Sequence, residues 1–124
     1  MLAITAVIRP EKVMDVQDAL YSRGYCAMTK LNVSGRGKER GIKVGEVLYQ
    51  EMTKVMLYMV VEDDEKDEVV SIIMQASMTG EKGNPGDGKI FVSPVYESYT
   101  ISTQSLDCLL YTSIQQKLAS KQHS

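Results

Sequence analysis

Two short glycine segments, each ending in a lysine, are the part of this chain best suited to bind a ligand. They read Gly35-Arg36-Gly37-Lys38 and Gly86-Asp87-Gly88-Lys89. Glycine lets the backbone approach a ligand closely and take positive φ at little cost. Backbone N–H groups in such turns form anion-binding concavities, and a nearby lysine adds a positive charge. Either segment alone is typical of a plain turn, but two of them beside strand patterns favour a phosphate-bearing ligand.

The sequence offers little for catalysis. Its only histidine is His123, whereas a nucleoside diphosphate kinase on a similar fold needs a histidine nucleophile. Paired catalytic carboxylates and a Ser/His/Asp set are not visible. Asp87 is interpreted as a turn-stabilising aspartate rather than a base. Tyr58 and Phe91 lack the basic context that an RNA-recognition module would supply. These patterns predict a binding protein and not an enzyme.

Composition limits the class of protein. A chain of 124 residues with 44% hydrophobic and 24% charged residues is typical of one soluble domain. The net charge of −2 argues against a non-specific nucleic-acid binder. No apolar run is long enough for a membrane span, and the N-terminus does not resemble a signal peptide. Two distant cysteines, Cys26 and Cys108, indicate a reduced, cytoplasmic protein.

Hydrophobic periodicity predicts alternating strands and helices. Strands are expected at residues 2–8, 26–34, 55–61 and 89–95. One helix opens at Pro10 and ends before Gly24, and the other follows the acidic run 62–65 and ends at Gly80. Their buried stripes are expected to comprise Val13, Val16, Leu20, Val69, Ile72, Ile73 and Ala76. The order β-α-β-β-α-β is that of a ferredoxin-like α+β fold.

Two stretches extend beyond this minimal fold, the connection 37–53 and the C-terminal tail, and the third strand has an unusual pattern of its own. The connection 37–53 is long and rich in Lys, Glu and Gly, as functional loops often are. The third strand is apolar on both faces, which indicates burial against another subunit because the helices cover only one face. Residues 104–124 are interpreted as a tail that is disordered or not native, since residues 107–113 resemble translated sequencing-adaptor sequence.

Several longer motifs point to one family. They are Ile8-Arg9-Pro10-Glu11-Lys12, Met28-Thr29, Gly35-Arg36-Gly37-Lys38, Met59-Val60-Val61-Glu62-Asp63-Asp64, Thr79-Gly80 and Gly86-Asp87-Gly88-Lys89-Ile90-Phe91-Val92. With these residues, segment 1–103 resembles the PII nitrogen regulatory signal-transduction proteins. Ser93-Pro94-Val95 and Tyr99-Thr100-Ile101 look like the nitrogenase-regulating branch of archaea and anaerobes.

The resemblance implies a non-enzymatic trimer that binds ATP or ADP in clefts between subunits. The residues carried over for the nucleotide are Thr29, Gly35, Arg36, Gly37, Lys38, Val60, Gly86, Asp87, Gly88 and Lys89. For 2-oxoglutarate they are Glu39 and Lys54, and Glu39 is also the expected Mg²⁺ ligand. The connection 37–53 corresponds to the T-loop, whose expected target-binding residues are Arg40, Lys43, Glu46 and Tyr49.

The chain departs from the family pattern at three places. Glu39 stands where the family has a Mg²⁺-binding glutamine, so it should repel a dianionic effector. Thr100 and Ser102 occupy the positions of two phosphate-binding arginines, which predicts weaker nucleotide binding. Residues 81–85 lengthen the loop before Gly86.

The implied function is a sensor of ATP, ADP and 2-oxoglutarate whose T-loop regulates a nitrogen-metabolism enzyme. The expected target is a nitrogenase component, and the expected assembly is a homotrimer or a hetero-oligomer with a second PII paralogue. The alternative is another trimeric small-molecule-sensing regulatory domain of ferredoxin-like fold that binds no nucleotide.

Overall fold

The fold is a four-stranded antiparallel sheet covered on one face by two helices. The computed structural model describes residues 1–38 and 49–106. The elements are β1 (Leu2–Ile8), α1 (Val13–Tyr21), β2 (Thr29–Lys38), β3 (Tyr49–Val61), α2 (Lys66–Ser77) and β4 (Gly88–Pro94). The strands lie in the order β2-β3-β1-β4. This topology confirms the predicted ferredoxin-like α+β fold. A short hairpin follows, formed by β5 (Tyr99–Thr100) and β6 (Ser105–Leu106).

Both helices bury the predicted stripes. The buried residues of α1 are Val13, Val16 and Leu20. Val69 and Ile73 are buried in α2, with Ile72 and Ala76 partly buried against the core. Single 3-10 turns precede each helix, at Pro10–Lys12 and Asp63–Glu65. The two helices therefore begin a turn later than their sequence signals suggest.

The core lies between the helices and alternate residues of the two central strands. On β1 it includes Ile4, Ala6 and Ile8, and on β3 every second residue from Val55 to Val61. Ile4 pairs with Met59 and Ile8 with Val55, so the inward faces of the two strands coincide. Burial of these side chains is the main source of stability for a domain of this size.

The long connection is shorter than predicted because its flanking strands are longer. Strand β2 begins at Thr29 rather than at residue 26, and Lys38 at its end pairs with Tyr49 of β3. Residues 37–38 and 49–53 thus belong to strands. Their sequence does not show this, because backbone hydrogen bonding between strands does not require apolar side chains at alternate positions. Residues 39–48, which include Glu39, Arg40, Lys43 and Glu46, lie outside the described residues. So do residues 107–124 of the predicted tail 104–124, whereas Ser105–Leu106 of that tail form β6.

The second face of the sheet carries large apolar side chains. Leu31 on β2, Tyr58 on β3 and Phe91 on β4 are 50%, 40% and 56% exposed. Their register partners place all three on the side opposite the helices. Exposed apolar clusters of this kind mark interaction surfaces.

Among the glycines of the described part of the chain for which the space around a Cβ is defined, Gly88 has the least room for a side chain. Its φ is 123°, and a Cβ placed there would lie 1.9 Å from the carbonyl oxygen of Val7. We expect Gly88→Ala to lower the free energy of unfolding by at least about 3 kcal/mol, from positive-φ strain and displacement of β1. Urea denaturation measures this change.

The matched control is Gly35→Ala, because a Cβ at Gly35 meets no heavy atom within 4 Å. We expect a change within about 1 kcal/mol there. Equal losses in the two variants would show that the approach of β4 to β1 is not the constraint.

Candidate functional site

The second glycine segment forms the turn that leads into β4. Gly86 and Gly88 have φ of 94° and 123°, conformations that favour glycine. Gly88 pairs with Ile8, the last residue of β1, and so the turn lies at the end of the central strand. The positive φ expected of these glycines is therefore present, and Gly88 approaches the backbone of Val7, whereas close approach to a ligand stays a prediction.

Asp87 lies at the centre of a hydrogen-bond network within the loop. Its Oδ1 accepts from the Thr79 hydroxyl at 2.6 Å and from Arg9 Nε at 3.0 Å. Its Oδ2 accepts from the backbone N–H groups of Thr79 at 3.0 Å and Asn84 at 2.8 Å. These hydrogen bonds, that of the Thr79 hydroxyl foremost, hold the pKa of Asp87 well below its usual range. The carboxylate is therefore ionised at physiological pH.

Arg9 is a component of the site that our sequence reasoning did not assign. It follows β1 directly and also donates from Nη2 to the carbonyl oxygen of Pro85 at 3.1 Å. A Cβ on Gly86 would lie 3.1 Å from the same Nη2 atom. Arg9 belongs to a motif that carried the family resemblance, which was the available signal. No local sequence pattern indicated that Arg9 contacts residues so distant in the chain.

Lys54 reaches the same loop from β3. Its Nζ donates to the carbonyl oxygen of Gly86. Burial is the main cause that lowers the pKa of Lys54, and the nearby Arg9 guanidinium acts in the same direction. The cationic side chains of Arg9, just after β1, and Lys54, on β3, therefore lie beside one glycine turn.

A cleft of about 370 Å³ opens at this point on the uncovered face of the sheet. It is lined by Val7, Lys54, Gly86, Gly88, Lys89 and Phe91. The lining combines two lysines, glycine backbone and an apolar floor, which suits an anion attached to an apolar or aromatic group. A second concavity between the helices contains the Arg23–Glu68 ion pair and shares no lining residue with this cleft.

The predicted site residues form two groups at opposite ends of the sheet. Gly35 to Lys38 lie in the extension of β2, at the same end as Lys54 and the glycine turn. Thr29 pairs with Tyr58, and Val60 pairs with Ala3, toward the other end. Lys54 and Val60 lie about 20 Å apart along β3, at roughly 3.3 Å per residue. One chain therefore does not bring all the predicted nucleotide contacts together.

The departures from the family pattern have different consequences in the structure. The additional loop residues are integrated, because Asn84 Nδ2 donates to the Thr79 carbonyl at 3.0 Å and to its hydroxyl oxygen at 2.8 Å. Thr100 lies in β5 and Ser102 in the following turn, both exposed. Within residues 1–38 and 49–106, no cluster of three His, Cys, Asp or Glu side chains is placed to hold a metal ion.

Comparison with known proteins gives a consistent result. The family model for nitrogen regulatory protein P-II matches residues 1–105. No helix in the described part of the chain is long and apolar enough to cross a membrane.

The relatives are GlnB-like proteins of nitrogen-fixation regions in methanogens. The nifHD region GlnB-like protein 1 of Methanothermococcus thermolithotrophicus is 52% identical over 103 residues, 83% of this chain and 95% of that protein. Its namesake from Methanobacterium ivanovii is 48% identical over 105 residues, 85% of this chain and 97% of that protein. The corresponding protein of Methanococcus maripaludis strain S2 is 50% identical over 105 residues, 85% of this chain and 97% of that protein. A family match over most of the chain and this level of identity show that the chain belongs to the P-II family of nitrogen regulatory proteins.

Proposed function

We propose that this chain is a non-catalytic cytoplasmic sensor that binds ATP or ADP together with 2-oxoglutarate. The observation that carries the proposal is the convergence of Arg9, Lys54 and Lys89 on the turn at Gly86–Gly88. Cationic side chains and glycine backbone N–H groups together suit phosphate and carboxylate groups. Lys54 is the proposed partner of the 2-oxoglutarate carboxylate, and Glu39 the proposed ligand of a Mg²⁺ ion.

The ligand cleft in this proposal lies between two copies of the chain. One copy contributes the glycine turn, Lys54 and Lys89, and a second contributes Thr29 and the backbone near Val60. The separation of the two groups along β3 supports this arrangement, because two copies can bring to one cleft residues that lie about 20 Å apart in a single strand. The exposed apolar side chains of the sheet face supply the contact, with a homotrimer as the proposed assembly. A hetero-oligomer with a second family member would use the same face.

The output of the sensor is the connection between β2 and β3. We propose that ligand state selects the pose of this segment, which then binds and inhibits a target enzyme through Arg40, Lys43 and Glu46, together with Tyr49 at the start of β3. Such control requires that the ligand bind one pose better than another, because equal affinity for both would shift nothing. The relatives are named for nifHD regions of nitrogen fixation, which favours a nitrogenase component as the target.

The assembly can be tested through the uncovered sheet face. Multi-angle light scattering of the full chain should give about three times the monomer mass of 13.8 kDa. Leu31→Asp should shift the protein toward monomer, because it places a charge inside the apolar contact. Met14→Asp is the control, since Met14 is 64% exposed on α1 in the other layer of the fold. A wild-type chain that stays monomeric at micromolar concentration contradicts the trimer.

Nucleotide binding can be tested at Lys89. Isothermal titration should show ATP and ADP binding to the wild type, and Lys89→Ala should weaken ATP binding by about 1–3 kcal/mol, the range for a hydrogen bond to a charged group. Lys30→Ala is the control, because Lys30 pairs with Leu57 and belongs to the helix-side register of the sheet. Equal affinities in wild type and Lys89→Ala would remove this site. Absence of binding in both would favour the alternative sensor that takes no nucleotide, consistent with Thr100 and Ser102 in place of arginines.

The role of Glu39 can be tested with the effector. Glu39→Gln should tighten 2-oxoglutarate binding in the presence of MgATP, because it removes a negative charge near a dianion. Titration of both forms measures this change, with an ATP-hydrolysis assay beside it. Unchanged affinity would exclude Glu39 from effector binding, and steady nucleotide turnover would contradict the non-catalytic sensor.

A further inference from the structure

Asp87 is surrounded by donors from three separate segments of the chain. Thr79 follows α2, Asn84 lies within the loop, and Arg9 follows β1. Four hydrogen bonds occupy the two carboxylate oxygens, and the side chain is only 17% exposed. The cleft is lined by both neighbours of Asp87, Gly86 and Gly88, but not by Asp87 itself. The carboxylate is therefore directed into the loop and not toward the cleft.

The loop that Asp87 holds is rich in glycine, and the Asp87 carboxylate accepts four of its hydrogen bonds, beside those that Asn84, Arg9 and Lys54 donate to other oxygens of the loop. Four of its glycines, at positions 80, 83, 86 and 88, have positive φ. Glycine loses more conformational freedom on ordering than any other residue, so such a loop without an anchor would populate many conformations. A carboxylate that accepts from Thr79 at the start of the loop, from Asn84 within it and from Arg9 selects one of these conformations.

We propose that Asp87 is a positioning residue, which holds the glycine turn and the Arg9 guanidinium in place for an anionic ligand without touching that ligand. This inference rests on the function proposed above. It replaces direct contact, which the family resemblance implied for Asp87, with action through the backbone of Gly86 and Gly88. Thr79 is the second positioning residue of this hydrogen-bond network, because its hydroxyl donates to Asp87 and accepts from Asn84.

Charge and positioning predict opposite effects on anion binding when Asp87 loses its negative charge. Removing a carboxylate near a phosphate should strengthen anion binding if charge alone matters. Asp87→Asn should instead weaken it, because one amide nitrogen replaces an acceptor and faces N–H donors. The matched control is Glu81→Gln, which removes an equal charge from an exposed position of the same loop.

The first measurement is hydrogen exchange of the full chain without ligand. In Asp87→Asn the amides of Thr79 and Asn84 should exchange at least about tenfold faster than in wild type, whereas Glu81→Gln should leave them unchanged. Thr79→Val should act like Asp87→Asn, and Thr79→Ser should restore protection because it keeps the hydroxyl. Unchanged exchange in both Asp87→Asn and Thr79→Val overturns the proposal. If Asp87→Asn does not fold, the comparison of Thr79→Val with Thr79→Ser tests the proposal instead.

The second measurement is titration with ATP well below the melting temperature of each variant. A role in stability alone would leave the affinity of the folded protein unchanged, whereas positioning predicts at least about a fivefold loss for Asp87→Asn and Thr79→Val. Unchanged or tighter binding in these variants overturns the proposal. If the wild type binds no nucleotide, the proposed function fails, and the exchange experiment still decides whether Asp87 holds the loop.

Discussion

The close approach of Gly88 to the backbone of Val7 is the constraint on which this structure depends. It allows β4 to begin beside the last residues of β1, with no room for a side chain between them. Because β1 pairs with β3 on one side and β4 on the other, it sets the register of the start of β4 relative to β3. Arg9 just after β1, Lys54 on β3 and Lys89 on β4 thereby reach the same turn. The cationic cleft is thus a consequence of sheet register.

The glycine turn needs residues with high conformational freedom and also hydrogen bonds that hold them in one conformation. Positive φ at several positions is needed for the chain to pass from α2 into the sheet, yet each glycine adds conformational freedom that must be removed. The carboxylate of Asp87 removes it with hydrogen bonds, and the lysine and arginine side chains add contacts to backbone carbonyls of Pro85 and Gly86. Charges of opposite sign hold this loop from two sides. The net positive character toward the cleft remains because the negative group faces inward.

The sequence predicted the elements of the fold well where side-chain patterns define them. Val13, Val16 and Leu20 at helical spacing identified α1, and the alternation in residues 2–8 identified β1. It failed at the ends of β2 and β3, since Gly35 to Lys38 look like a turn and are held in a strand by backbone pairing with β3. It also missed the contacts between Arg9 and the loop at Pro85 and Asp87, because pairing across so long a stretch of chain is set by sheet topology and leaves no local pattern.

The separation of the two residue groups along β3 has a thermodynamic consequence. If each ligand is held by walls from two copies, binding and assembly are linked, and each strengthens the other by the same free energy. The apparent affinity for the ligand would then fall when the protein is diluted, and bound ligand would stabilise the contact between subunits. The fraction of sites occupied by ligand would then depend on the concentration of the protein as well as on that of the metabolite. The geometry of a single strand would thus determine how steeply the response depends on the amount of the protein itself.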